Sequence, residues 1–207
     1  MSEQLVALIL RHGSTELNEK GCFRSWVDIP LSDEGVEQAY AAARFLMKYP
    51  IKRILSSPLL RAFQTADVAA IPHNMLVYQH RGLFPWRLGI FSGLPKDENQ
   101  EALRLFVQNP KVCIPGGECL EDFEERQFAF YANALKSAKS VGLTLFVAHT
   151  SNVTALVNFT EGGAPTKEPE FGDSVKPGGV GAIYFDGEKH RVEPILGTPE
   201  VAAFGGS

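Results

Sequence analysis

Cysteine is scarce in this chain. Cys22, Cys113 and Cys119 are the only three in 207 residues, and none of them shows a C-x-x-C spacing. That count suggests neither a disulfide framework nor a zinc site, and idle thiols fit a reducing, cytoplasmic setting. Long apolar runs are missing as well. The early run at residues 5–10 follows Glu3 and stops at Arg11, too short and wrongly flanked for a signal peptide, and no run has the length of a membrane span. Positive charge is not in excess, since 20 Lys and Arg against 24 Asp and Glu leave a net charge of −4. No global field draws such a chain to nucleic acid or to an anionic membrane, so an anion site has to be local. Repeats and low-complexity blocks are absent too, and residues 1–207 read as one domain of unspecified oligomeric state.

What is present alternates between strand and helix. Residues 5–10 form a continuous apolar run of strand length, as expected of a strand covered on both faces. Val36, Ala39, Tyr40, Ala43, Leu46 and Met47 recur at helical spacing behind Ser32, a suitable N-cap, with Asp33 and Glu34 in the first turn. Residues 51–56 read as a second strand. Ser57 and Pro58 then look like an N-cap and first helical position, opening a helix to about residue 70. A short third strand is expected at 75–78, helices at about 97–108 and 118–140, a fourth strand at 144–148 and a helix at 151–159. Between 80 and 94 the periodicity is lost among Gly82, Pro85, Gly89 and Gly93, and a loop of that length is often functional. Residues 160–179 are polar and rich in Gly and Pro. Segments 181–185 and 190–195 flank Asp186-Gly187, a strong hairpin signal. The pattern predicts an α/β fold with a mostly parallel sheet, an antiparallel edge hairpin and helices on both faces. The Phe204-Gly-Gly-Ser end reads as a loose tail.

In sheets of this kind the site lies beyond the carboxyl ends of the strands. Arg11-His12-Gly13 ends the first strand, residues 57–61 follow the second, the long loop follows the third, and His149-Thr150-Ser151-Asn152 follows the fourth. Two imidazoles and two guanidiniums on one edge make a phosphate pocket that needs no metal. Arginine donates in a planar fork suited to phosphate oxygens, helix N-termini add backbone N–H groups, and neutral imidazole is a competent nucleophile toward phosphorus. His73, His80 and His190 lack metal-ligand spacing and read as surface or loop residues. Arg61 in a first helical turn opposes the helix dipole unless an anion sits there.

The motifs come in a familiar order. Arg11-His12-Gly13-Ser14-Thr15-x-x-Asn18, followed by Asp28-x-Pro30-Leu31-Ser32-x-x-Gly35, resembles the first block of the histidine phosphatase (phosphoglycerate-mutase-like) superfamily. Ser56-Ser57-Pro58-Leu59-x-Arg61-Ala62-x-x-Thr65-Ala66 is similar to the second block. Pro115-Gly116-Gly117-Glu118-x-Leu120-x-Asp122-x-x-x-Arg126 is similar to the third, and Ala148-His149 to the last. The resemblance implies that His12 becomes a phosphohistidine while Arg11, Arg61 and His149 hold the phosphoryl oxygens. Gly13, Asn18 and Thr150 would line the phosphate site, the substrate would be a small phosphorylated molecule, and no cofactor or metal is implied. Pro85 falls where the resemblance places a glutamate proton donor, and Thr150 where a second branch has an aspartate. Ser25 stands where a glycine is common. The implied activity is phosphomonoester hydrolysis. Phosphoglycerate mutation, phosphohistidine hydrolysis and non-catalytic sensing of a phosphorylated ligand are the alternatives.

Overall fold

The computed structural model describes residues 3–162 and 175–197; most of the polar segment at 160–179 and the C-terminal tail lie outside the described residues. In chain order the elements are β1 (Gln4–Arg11), α1 (Glu16–Glu19), α2 (Asp33–Leu46), β2 (Arg53–Ser56), α3 (Leu60–Ala70) and β3 (Val77–Gln79). They continue with α4 (Lys96–Gln108), α5 (Leu120–Val141), β4 (Thr144–Ala148), α6 (Thr150–Thr160), β5 (Val180–Phe185) and β6 (His190–Leu196). The strands form one sheet in the order β3-β2-β4-β1-β5-β6. The first four run parallel, and the β5–β6 hairpin closes the edge antiparallel to β1.

Why β1 is apolar from Leu5 to Leu10 follows from its place in the sheet. Alternate residues face opposite sides of a strand. Leu8 and Leu10 pack with Ala42 and Leu46 of α2 and Ala62 and Ala66 of α3. Ala7 and Ile9 pack on the other side with Tyr131 and Leu135 of α5 and Val153 and Leu156 of α6. Each fully buried Leu or Ile contributes roughly 1.5–3 kcal/mol, and a polar residue at any of these positions would face a helix rather than water. A third cluster, with Phe23, Trp86, Leu88, Phe91, Leu103, Ile114 and Phe123, sits apart from these two. It gives the aperiodic 80–94 stretch its structure, because Trp86 and Leu88 are wholly buried there.

Two sequence expectations need correction. Ser57 does not cap α3, whose cap position is Leu59 without a side-chain bond. Asp28 supplies the missing acceptor from a distant loop, its Oδ1 taking the Leu60 N–H at 2.6 Å. Pro58 precedes the helix accordingly. The cysteines are not all idle either, because Cys113 and Cys119 form a disulfide and only Cys22 is a free thiol. The chain between them doubles back through Pro115-Gly116-Gly117, with Gly116 at φ +70° and Gly117 N–H on Ile114 O at 2.8 Å. A spacer of five residues matches no familiar cysteine motif, which is why spacing alone hides it. The pairing removes the argument from thiols to a reducing compartment. No helix among the described residues is long and apolar enough to cross a membrane.

The turn after β1 leaves no room for side chains. A Cβ on Gly13 would overlap the Gly35 carbonyl, and one on Gly35 would overlap the Ser14 carbonyl. Backbone touches backbone here, so neither neighbour has a flexible end to move aside. We expect Gly35→Ala to lower stability by about 1–3 kcal/mol, the usual cost of overpacking. Chemical denaturation measures this, and an unchanged midpoint would show that the two segments separate freely.

Candidate active site

Backbone hydrogen bonds carry the parallel ladder one step beyond the strands and bring the polar turns together. His12 N–H bonds Ala148 O at 3.0 Å, Ser57 N–H bonds Val147 O at 2.9 Å, and His80 N–H bonds Ser56 O at 2.8 Å. His12 and His149 thereby face each other with ring centroids 5.0 Å apart. Both are almost wholly buried, as are Arg11 and Arg61. The four residues expected to form the site do meet.

The hydrogen bonds assign the tautomer of His12. Nδ1 lies 2.6 Å from Gly13 O, an acceptor only, so the ring proton sits on Nδ1. Nε2 keeps its lone pair and accepts from Arg61 Nε at 3.3 Å. Burial, reinforced by Arg61, Arg11 and Arg24, holds the His12 pKa well below the ordinary histidine value. His149 is lowered too, by burial first and then by Arg61, His12, Arg24 and Arg11. Its Nε2 is 2.8 Å from Ser57 Oγ, which also accepts from Leu59 N at 3.4 Å. That bond holds the ring at Nε2 and leaves His149 Nδ1 outside it. That Nδ1 and Thr150 Oγ1 are buried atoms without a hydrogen-bond partner. Unsatisfied buried polar atoms are costly and call for a ligand or water.

Arg61 is fixed by backbone. Its Nη1 donates to Val27 O at 2.8 Å and its Nη2 to Ser25 O at 2.7 Å. Ser25 reaches this position with φ +47°, in the left-handed region, which explains why glycine suits it. The serine has a use of its own, because its Oγ accepts from Leu88 N at 2.8 Å and lies 3.3 Å from Trp86 O. Arg11 donates to Val175 O at 2.9 Å. Gly13 N–H bonds Thr65 Oγ1 at 3.1 Å, and Thr65 in turn donates to Arg61 O. Asn18 is half-buried, with Oδ1 accepting from Thr15 N at 3.2 Å and from Thr15 Oγ1 at 2.8 Å. The short helix α1 that this box caps has no periodic signal in the sequence.

Sequence reasoning missed two contributors. Arg24 is 6% exposed, donates to Cys22 O at 3.2 Å, and adds a third positive charge acting on both histidines. It lies in an aperiodic loop, and its only signal is a charge directly after Phe23 and two residues before Trp26. Ser57 reads as a helix cap but orients His149 instead. Trp86 is wholly buried in the core, whereas Arg87 is exposed, with its guanidinium 5.2 Å from the Trp26 ring centroid. Pro85 is buried, and its carbonyl accepts from Trp26 Nε1 at 2.9 Å and Arg126 Nη2 at 2.8 Å. Asp97 and Glu98 are exposed on α4, with Asp97 Oδ1 accepting from Glu98 N. Among the described residues, the one group of metal-ligating side chains is Cys113, Cys119 and Asp122, and its sulfurs are bonded to each other.

The family model of the histidine phosphatase superfamily (branch 1) matches residues 7–195. The chain is 28% identical to a 2,3-bisphosphoglycerate-dependent phosphoglycerate mutase of Chlamydia pneumoniae, covering 90% of this chain and 95% of the mutase. Its fold is that of a mycobacterial glucosyl-3-phosphoglycerate phosphatase, with a TM-score of 0.78 at 23% identity over 95% of this chain and 99% of the other. A phosphoglycerate mutase from Bacillus anthracis str. Sterne also superposes with a TM-score of 0.78, at 23% identity over 94% of each chain.

The depressed histidines give stability a pH dependence with a definite sign. The unfolded chain takes up these protons near pH 6.5 while the folded protein does not. Stability is therefore full above that pH and falls as the pH drops below it, by up to about 1.4 kcal/mol per unit for each histidine. Thermal melts of wild type and of His12→Asn between pH 7.5 and 5 check this. Parallel curves for the two proteins would mean that His12 titrates normally.

Proposed function

The chain belongs to the histidine phosphatase superfamily, and on that premise we propose that it is a metal-independent phosphomonoester hydrolase acting on small phosphorylated molecules through a phosphohistidine on His12. One observation carries the reading. His12 is neutral, its proton is held on Nδ1 by Gly13 O, and its Nε2 lone pair faces the guanidinium of Arg61. A structural histidine does not need a lone pair aimed among cations. A nucleophile toward a phosphate dianion does.

The reaction has two steps. Nε2 attacks phosphorus, the ester oxygen leaves with its electron pair, and Arg11, Arg24 and Arg61 balance charge on the equatorial oxygens. Thr150 Oγ1 donates to the same oxygens with the His149 ring beside them, and Asn18 and the Gly13 turn border them. Water then attacks phosphorus, the P–N bond breaks, and the lone pair returns to Nε2. Buried guanidiniums around both imidazoles repel a divalent cation, which supports chemistry without metal.

Resemblance to mutases extends over nearly the whole chain, but a mutase must return the phosphoryl group to a hydroxyl. That return needs a residue that removes and restores the hydroxyl proton. Pro85 stands at the expected donor position, and the charges acting most strongly on His12 and His149 are cationic. Hydrolysis is the reading that this site favours.

The test is a single turnover with a ³²P-labelled ester, quenched in base, where phosphohistidine survives. Label should appear on wild type and be absent from His12→Ala, with turnover abolished in the variant and unaffected by EDTA in wild type. Label on the His12→Ala protein, or activity lost to EDTA and restored by Mg²⁺, would overturn the mechanism. Arg61→Lys keeps charge but loses the fork that grips Ser25 O and Val27 O. Its rate should fall ~10²–10³-fold, and a wild-type rate would remove Arg61 from the site.

A further inference from the structure

An aromatic wall lies on the loops that hold the phosphate pocket. A cavity of about 460 Å³ is lined by Trp26, Phe84, Arg81, Arg126 and Glu118. Two links tie its lining to the residues of the phosphate pocket. Trp26 lies between Ser25 and Val27, whose carbonyls hold Arg61. Phe84 O accepts from Asn152 Nδ2 at 3.1 Å, three residues after His149. The Trp26 and Phe84 rings stack with centroids 4.4 Å apart at 24°. Trp26 remains 39% exposed although its Nε1 is tied to Pro85 O. An indole that is both exposed and pinned is a stacking surface prepared before anything binds.

Proton donors are lacking at the same mouth. Glu118 is the one carboxylate in its lining. Its Oε1 accepts from Arg126 Nη2 at 2.7 Å and from Arg87 N at 2.8 Å, and its Oε2 from Arg126 Nε at 3.1 Å. Both of its oxygens are therefore already taken up as acceptors by Arg126 and the Arg87 amide. Arg81 and Arg87 add exposed positive charge around the rings. The wall therefore favours a leaving group that is planar and departs as an anion.

Resting on the phosphatase reading above, we propose that the substrates are small aryl phosphate monoesters, whose phenolic ring packs against the exposed edge of the Trp26–Phe84 pair. The P–O bond to the ring oxygen breaks as Nε2 of His12 bonds phosphorus. The electron pair leaves on phenolate, stable without immediate protonation, and the proton is taken later from the water that hydrolyses phosphohistidine. An alkoxide has no such stability, and the missing acid costs it ~10²–10⁴-fold. The volume of the mouth accommodates a ring with short substituents rather than a folded polypeptide surface, so the source is a small molecule.

The experiment compares kcat/KM for phenyl phosphate and glycerol 3-phosphate in wild type, Trp26→Ala, Trp26→Phe and Glu118→Gln. Wild type should favour the aryl ester by at least 100-fold. Trp26→Ala should lose about 3–10-fold on the aryl ester alone, in line with the worth of one aromatic contact. Trp26→Phe, which keeps a ring, should restore most of that loss and so separates stacking from misfolding. Equal wild-type rates on the two esters, or a selective loss of alkyl turnover in Glu118→Gln, would overturn the proposal by revealing a working acid. Free O-phosphotyrosine should outpace the same group within a peptide, and the reverse order would overturn the small-molecule source. Label trapping on His12 keeps the two readings apart. Phosphohistidine formed equally from both ester types sinks only the aryl inference, whereas no phosphohistidine from either sinks the mechanism beneath it.

Discussion

A guanidinium that is almost out of contact with water must be surrounded by acceptors, and in this protein Arg61 sets that requirement for everything around it. It is 1% exposed. Burying an unpaired charge costs several kcal/mol, and the loop at residues 22–28 meets the demand with two carbonyls. To present them, Ser25 adopts a left-handed backbone at a cost of order 1–3 kcal/mol. Its hydroxyl recovers part of this by fastening the Trp86–Leu88 strip. Asp28, at the end of the same loop, caps the helix that carries Arg61. Loop, helix and mouth wall are thus tied to one side chain, whose Nε donates to His12 Nε2.

The extent to which this was legible in the sequence depends on the physical range of each signal. β1 and β4 are apolar on both faces because both faces are covered, and that pattern needs no tertiary knowledge to read. Gly13 and Gly35 are visible as motif positions, but their mutual contact spans two elements and only the fold reveals it. The cap of α3 illustrates the limit. Ser57-Pro58 has the local chemistry of a helix start, yet the hydroxyl is worth more to His149, and Asp28 from thirty-two residues away takes over the capping. Local rules fail where a residue has a better long-range partner. Arg24 is a plainer case: a charge in an aperiodic loop looks like surface until the Phe23, Trp86 and Phe91 cluster is seen closing beside it.

Electrostatically, the site is arranged for a guest. Three guanidiniums and two imidazoles held neutral share one small volume, and His149 Nδ1 and Thr150 Oγ1 are left without partners. Such an arrangement is unfavourable when empty. On the proposed function, a dianion would relieve it by satisfying the donors and offsetting the cationic field, returning stability given up at the site as binding free energy. The low net charge of the whole chain does not interfere, because the field is confined to the end of the sheet.

Arg126 leaves the mouth little freedom. It donates to Phe84 O and Pro85 O while paired with Glu118, and the Cys113–Cys119 link closes the turn from which Glu118 projects. Segments 84–87 and 113–119 are therefore fastened to α5 as one piece. An enzyme whose rim does not fold over its guest exerts no hold on it beyond direct contact. Poor substrates then depart far more often than they react, so KM for a slowly reacting ester approaches its true dissociation constant. Discrimination at such a rim comes from shape met on arrival, not from closure afterwards.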